Sequence, residues 1–208
     1  MLPPEIPIFP LPNAVLFPNV FLPLHIFEPR YRSMVSDALE GDRIIGMALL
    51  QPGWEGRYEG CPRVYPIGSA GLVSHVETLG DGRYNIILRG LEKYRIVEEI
   101  EPSAAVAYRR ARIEALDEPV SDSVREFLHR ERPRIEALLG REASRITSTT
   151  ISDADLVNAL AQYLDLEVVE RQALLEREGL QARCQGLIDL LEMKLISARH
   201  GFPPGQAH

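Results

Sequence analysis

The stretch Ile6–Leu39, IPIFPLPNAVLFPNVFLPLHIFEPRYRSMVSDAL, decides how this chain folds. Pro7, Pro10, Pro12, Pro18, Pro23 and Pro29 interrupt it, and each fixes φ and lacks a backbone N–H, so no regular interior strand runs through it. Yet Val15, Leu16, Phe17, Val20, Phe21, Leu22, Leu24, Ile26 and Phe27 are too apolar to be left in water. Short extended pieces separated by bends satisfy both demands, each piece burying a few large side chains. Glu28-Pro29-Arg30-Tyr31 then opens a helix, because proline suits the first helical position, where the N–H has no intrahelical partner. Tyr31, Met34, Val35, Ala38 and Leu39 follow at helical spacing and form one apolar face.

Downstream, Gly41-Asp42 reads as a turn and Arg43–Leu50 as a strand apolar on both sides, hence central. Residues 51–66 read as a loop from their Gly and Pro content, and they carry Trp54, Tyr58 and Tyr65. Gly68–Leu79 is expected to be a strand, followed by a Gly80-Asp81-Gly82 turn and a return with Tyr84, Ile86 and Leu88 on one face. Gly90 interrupts before Leu91–Ile100, where a bulge or bend would turn a barrel corner. A last strand is expected over Ala105–Leu116, anchored by Tyr108 and Ile113.

Beyond Asp117-Glu118-Pro119 the strand pattern stops. Ser123 with Glu126 is the expected capping box of a helix that Pro133 breaks or kinks. Residues 140–150 read as a polar loop. Ser152 with Asp155 caps a helix whose expected face is Leu156, Leu160, Tyr163 and Leu164. A short helix over Glu167–Glu176 and a last one lined by Leu180, Cys184, Leu187, Ile188 and Leu191 complete the pattern. The fold class is therefore α+β, with a β-barrel and one inserted helix over residues 1–116, a helical bundle over 117–200 and a disordered tail over 201–208.

With 208 residues the chain is long enough for a substantial core. Its net charge of −7 is a poor basis for holding phosphates. Lys93 and Lys194 are its only lysines, and neither sits in a setting that suggests a general base. No GxxxxGK[ST] run is present to cradle a triphosphate. His25, His75, His129, His200 and His208 are scattered without metal-ligand spacing, so neither metal nor cofactor is expected and no catalytic residue is assigned. Cys61 and Cys184 read as two reduced thiols. No signal sequence or membrane span is recognised, and a cytoplasmic protein is expected.

The polar residues of the first stretch admit two readings. His25 reads best as a core histidine with one hydrogen bond. Glu28 reads as a carboxylate at a helix N-terminus, with Arg30 paired to an acid elsewhere. Alternatively His25, Glu28, Arg30 and Tyr31 rim a recognition groove, and Arg89 and Arg95 admit the same choice. Trp54, Tyr58 and Tyr65 either form an adhesive surface for extended peptide or fold back over the barrel end. Arg130, Arg132 and Arg134 alternate with acids and read as a salt-bridged face.

The runs FPLPNAVLFP (9–18), LPLHIFEPRY (22–31) and GRYNIILRGLEKYRI (82–96) resemble the N-terminal, substrate-recognition domain of Lon-type ATP-dependent proteases in its stand-alone form. Weaker likeness runs through WEGRYEGCPRVYPIG (54–68) and the C-terminal helices, so nearly the whole chain is covered. The resemblance implies a PUA-like pseudo-barrel and a non-catalytic module that binds exposed or unfolded protein segments. Its candidate peptide-binding residues are Trp54, Tyr58, Tyr65, His25, Glu28, Arg30, Tyr31 and Arg89. On this reading a segment lies in a groove between barrel and bundle, and a separate protease is a conceivable partner. The alternatives are an RNA-binding PUA-like protein, or a small-ligand sensor with a pocket near His25 and Glu28.

Overall fold

The computed structural model describes residues 2–58, 60–100, 106–140 and 151–200. In it β1 (Glu5–Leu11), β2 (Phe21–Ile26), β3 (Ile44–Leu49), β4 (Ile67–Thr78), β5 (Tyr84–Ile100) and β6 (Arg110–Leu116) form one mixed sheet in the order β2-β5-β4-β3-β1-β6. A further pairing of β5 with β6 closes five of these strands into a barrel. The closure is possible because β5 is a single 17-residue strand. Its first half pairs with β2 and its second half with β6. The expected interruption at Gly90 is a register shift rather than a break, falling opposite Ser69–Gly71 of β4. Gly90 is needed for space: a Cβ there would drive into the Phe17 carbonyl oxygen.

Helix α1 (Pro29–Glu40) begins at Pro29 as its sequence predicts and buries Tyr31, Met34, Val35 and Ala38. These pack on Ile26, Val73, Ile86 and Leu88, which point inward from β2, β4 and β5. β6 is shorter than expected, starting at Arg110. Tyr108 lies before it, buried, with its hydroxyl donating to Asp37 Oδ2 at 2.7 Å.

Among the described residues four helices follow the barrel: α2 (Asp122–Leu139), α3 (Asp153–Tyr163), α4 (Val168–Glu176) and α5 (Gly179–His200). The cap of α2 is Ser121, whose Oγ accepts from Val124 N, and not Ser123. The helix also continues through Pro133 rather than breaking there. Ser152 caps α3 as expected, accepting from Asp155 N at 3.1 Å. The face of α3 corrects the expectation at one position. Leu156, Leu160 and Leu164 are buried, but Tyr163 is 56% exposed and its hydroxyl donates to Phe21 O at 2.9 Å. Residues 141–150 and the tail 201–208 lie outside the described residues, so the expectations for them fall there too.

The bundle is bonded to the barrel, with one apolar core running across the junction. Val15, Phe17, Val20 and Leu49 join Leu128, Leu156, Leu160, Leu174, Leu187 and Ile188 in it. Gln162 of α3 replaces a strand partner for the bent segment before β2. Its Oε1 accepts from Phe17 N at 3.2 Å and its Nε2 donates to Val15 O at 3.0 Å. A proline-broken segment has backbone groups that no ladder serves, and a side-chain amide supplies both a donor and an acceptor.

Candidate functional site

The residues singled out in the sequence separate into three places. Glu28, Arg30, Tyr31, Tyr58 and Trp54 assemble at the start of α1. Arg30 Nε donates to Glu28 Oε2 at 3.0 Å, and the Tyr58 hydroxyl donates to Glu28 Oε1 at 2.7 Å. The Arg30 guanidinium lies 4.5 Å from the Tyr31 ring centroid and 5.0 Å from that of Tyr58. Trp54 meets the Tyr58 ring edge-on at 5.7 Å, and both pack on Ala48, Leu50 and Val64. Arg30 thus pairs with Glu28 itself, not with an acid elsewhere, and Glu28 makes no side-chain cap to α1. Burial and the bond to Glu28 raise the Tyr58 pKa, and burial raises that of Tyr31. Each strong polar group here already has a partner inside the cluster. The arrangement pins loop 51–66 to the barrel end, which is the fold-back alternative for Trp54.

Tyr65 belongs to a second place. Its N–H donates to Leu49 O at 2.8 Å and its side chain packs against the core shared with the bundle.

His25 and Arg89 occupy the third place, and His25 is exposed there, not a core histidine. Among the described residues β2 pairs with β5 alone, so it is an edge strand. The ribbon β2–β5–β4 buries its inner side on α1 and leaves its outer side open. Three cross-strand rows follow from the register: Phe21, Arg89 and Leu72; Pro23, Ile87 and His75; His25, Asn85 and Glu77. The third row is a continuous hydrogen-bonded bar. Arg83 Nη1 donates to His25 Nε2 at 3.2 Å, which leaves the proton on Nδ1, 2.7 Å from Asn85 Oδ1; Asn85 Nδ2 donates to Glu77 Oε2 at 2.7 Å. Phe27 lies past this bar, its ring 6.1 Å from that of His25.

Phe21 is 50% exposed and Phe27 60%, although the sequence reading placed both inside. The missed signal is the alternation of β2. Leu22, Leu24 and Ile26 occupy one parity and face α1, so Phe21, Pro23 and His25 must face out. Together with Ile87 and Leu72 they make an apolar floor, and a shallow depression of about 440 Å³ lies over Pro23, His25, His75 and Ile87. It is open to solvent, unlike the enclosed pocket a small-ligand sensor would need.

The edge of β2 is also protected. Pro23 has no N–H to offer an added strand, and the Phe21 carbonyl is taken by Tyr163. In place of the groove expected between barrel and bundle, a common core crosses the junction and a depression of about 170 Å³ remains, lined by Pro18, Leu91, Lys93, Glu118, Asn158 and Leu180. A cavity of about 820 Å³ lies beside it between α2 and α3, but its wall includes Ile151, next to residues 141–150, which are not described.

Two buried cations, Lys93 and Arg183, sit at the junction itself, both paired with Glu118. Lys93 Nζ, 4% exposed on β5, lies 2.8 Å from Glu118 Oε1 and donates to Leu175 O and Arg177 O. Burial lowers its pKa, partly offset by Glu118. With three acceptors fixed around it, this amine is a structural tie and not a poised base. Arg130, Arg132 and Arg134 pair with Glu131, Glu136, Asp153 and Glu192, forming the salt-bridged face their spacing predicts.

A closed barrel with an appended edge strand, docked on a helical bundle and presenting an open apolar face, makes a domain of α+β class. Residues 5–193 match the family described as the ATP-dependent protease La (LON) substrate-binding domain, and the chain belongs to that family. It is 27% identical over 202 residues to Lon protease 2 of Myxococcus xanthus, covering 93% of this chain and 24% of that protein. With the Lon protease of Anaeromyxobacter dehalogenans the identity is 28%, again over 93% of this chain and 24% of the relative. The chain therefore spans about a quarter of the length of these relatives.

Solved structures share the fold. A Lon N-terminal domain protein from Xanthomonas campestris superposes with a TM-score of 0.64 at 23% identity, over 89% of this chain and 97% of that one. The N-terminal domain of the Mycobacterium avium complex Lon protease gives 0.69 at 18% identity, over 90% and 98%. No helix among the described residues is long and apolar enough to cross a membrane.

Proposed function

We propose that the chain is a non-catalytic module that captures exposed apolar segments of other proteins, using the outer face of the β2–β5–β4 ribbon. The observation that carries this reading is the exposure of Phe21 on β2 and of Phe27 just past its end, beside Pro23 and Ile87. Folded proteins leave contiguous apolar surface in water mainly where something covers it. The name of the family supports capture of protein clients, and the protected β2 edge favours binding through side chains over strand addition.

Among the residues singled out in the sequence, His25 and Arg89 belong to this face. Trp54, Tyr58, Tyr65, Glu28, Arg30 and Tyr31 support it from a distance by fixing loop 51–66 and α1. The barrel (residues 2–116) and the bundle (117–200) act as one unit, since a shared core and a buried ion network join them. Cys61 and Cys184 are both free, which suits a cytoplasmic setting.

The test is binding of the purified chain to a reduced, alkylated and permanently unfolded protein, with a mixed RNA pool in parallel, each at low and high salt. Capture of the unfolded protein that persists at high salt, and is lost in Phe21→Ala/Phe27→Ala, is expected. Salt-sensitive binding of RNA alone would replace this reading with the nucleic-acid one.

A further inference from the structure

We infer that the apolar face selects extended segments carrying a side-chain carboxylate two residues from a bulky apolar residue, and that Arg89 is the group that reads it. This rests on the outer face being the client-binding surface.

The argument begins with charge. Arg30, Arg83, Arg95, Arg109, Arg110 and Arg112 of the barrel each hold a carboxylate. Arg89 forms no ion pair among the described residues, and it is exposed between Phe21 and Leu72 in the first row. Arg32, Arg43 and Arg63 also lack one, but they lie on α1, at the start of β3 and in the long loop, away from this face. The apolar floor therefore carries one uncommitted cation, set among side chains that would exclude water from it once covered. An ion pair shielded in this way gains over one in open solvent.

The spacing comes from the sheet. Successive rows on one face are two residues apart, about 7 Å at the rise of a strand. An extended client has the same repeat on its own face. A bulky side chain resting on Pro23 and Ile87 therefore places the side chain two positions away over the Phe21–Arg89 row. Polarity then sets direction. The opposite row ends in Glu77, held by Asn85, and the cation at its other end, Arg83, is already paired with Asp81, so a client laid the other way would meet a carboxylate and no free cation. Arg89 at one end and Glu77 at the other make the floor directional.

The experiment uses three amidated, fluorescent peptides of one extended apolar sequence. One has Gln two residues from the central Leu, the second has Glu at that position, and the third has Glu one residue further on. Affinities are measured by anisotropy for the full chain, for Arg89→Gln, and for Arg112→Gln on β6 as an arginine control. The second peptide is expected to bind about fivefold tighter than the first at low salt, with the advantage fading at high salt. Arg89→Gln is expected to abolish that ratio, whereas Arg112→Gln leaves it. The third peptide gains nothing.

Equal affinity of the Gln and Glu peptides for the wild-type chain, or an advantage that survives Arg89→Gln, overturns the assignment while the capture of apolar segments stands. An equal gain from the displaced Glu overturns the two-residue register. Failure of all three peptides to bind removes the client-binding reading on which the inference rests.

Discussion

Arg183 of α5, at 0% exposure, donates from Nη2 to both carboxylate oxygens of Glu118 at 2.8 Å. The same guanidinium reaches Asn158 Oδ1 at 2.8 Å and Leu174 O at 3.2 Å, while Lys93 approaches Glu118 from the barrel side. One carboxylate is thus shared by two buried cations, one from β5 and one from the last helix, and backbone carbonyls complete their shells. The junction between barrel and bundle is tied by charge as well as by apolar packing.

Glu118→Gln should therefore be strongly destabilising. It leaves Lys93 and Arg183 buried without compensation, and breaking such a pair from one side costs about 3 kcal/mol. Urea denaturation followed by circular dichroism would show it as a lower midpoint. A loss below about 0.5 kcal/mol would mean that water reaches the network and that it contributes little to the junction.

Stability should fall at alkaline pH. Burial pushes the Cys184 thiol up to about 12 from an ordinary 9.0. Burial and the bond to Asp37 push the Tyr108 hydroxyl up to about 12 from 10.0, and burial moves Tyr31 and Tyr94 the same way. The folded chain keeps protons that the unfolded chain releases, so the contribution is complete below about pH 9 and is lost as pH rises toward the folded values, by up to about 1.4 kcal/mol per pH unit for each group. Lys93 acts oppositely, because its lowered pKa makes the folded chain release that proton first, but it is one group against five, Tyr58 being raised as well. Thermal melts between pH 8 and 11 check this, and Cys184→Ala should delay the onset to about pH 10.

Phe17 and Phe21 stand four residues apart and should behave in opposite ways. Phe17 is fully buried in the shared core, and Phe17→Ala should cost about 3–5 kcal/mol of stability. Phe21→Ala should leave the unfolding midpoint within about 0.5 kcal/mol of wild type while weakening capture of an unfolded client. A large loss of stability with unchanged binding would assign Phe21 to packing instead.

Tyr58→Phe removes the hydroxyl donated to Glu28 and little else. A partly exposed, charge-assisted bond of this kind is worth about 1 kcal/mol, and its loss should speed proteolysis within residues 51–66. Client affinity should change little. A large drop in affinity would instead place this cluster on the binding surface.

Local patterns were legible wherever one interaction range dominates. Pro29 at the first position of α1, the Asp81-Gly82 turn, Ser152 as a cap and the buried face of α5 all depend on neighbours within a few residues, so the sequence alone shows them. The loop-pinning cluster was half legible: its members were recognised as polar and aromatic residues needing partners, but not as partners of one another.

What the sequence by itself determined is the α+β class, most element positions, the want of a catalytic motif and the family resemblance. Tertiary structure alone decided which apolar residues of the Phe21–Phe27 run reach water. Strand parity offers two faces, and only the docking of α1 on one of them makes Leu22, Leu24 and Ile26 core and leaves Phe21 and His25 outside. It likewise decided that Lys93, Glu118 and Arg183 meet, because residues separated by 25 and 65 positions come together only when the bundle closes on the barrel. Burial and pairing of charges are properties of packed surfaces, and a linear pattern does not specify which surfaces meet.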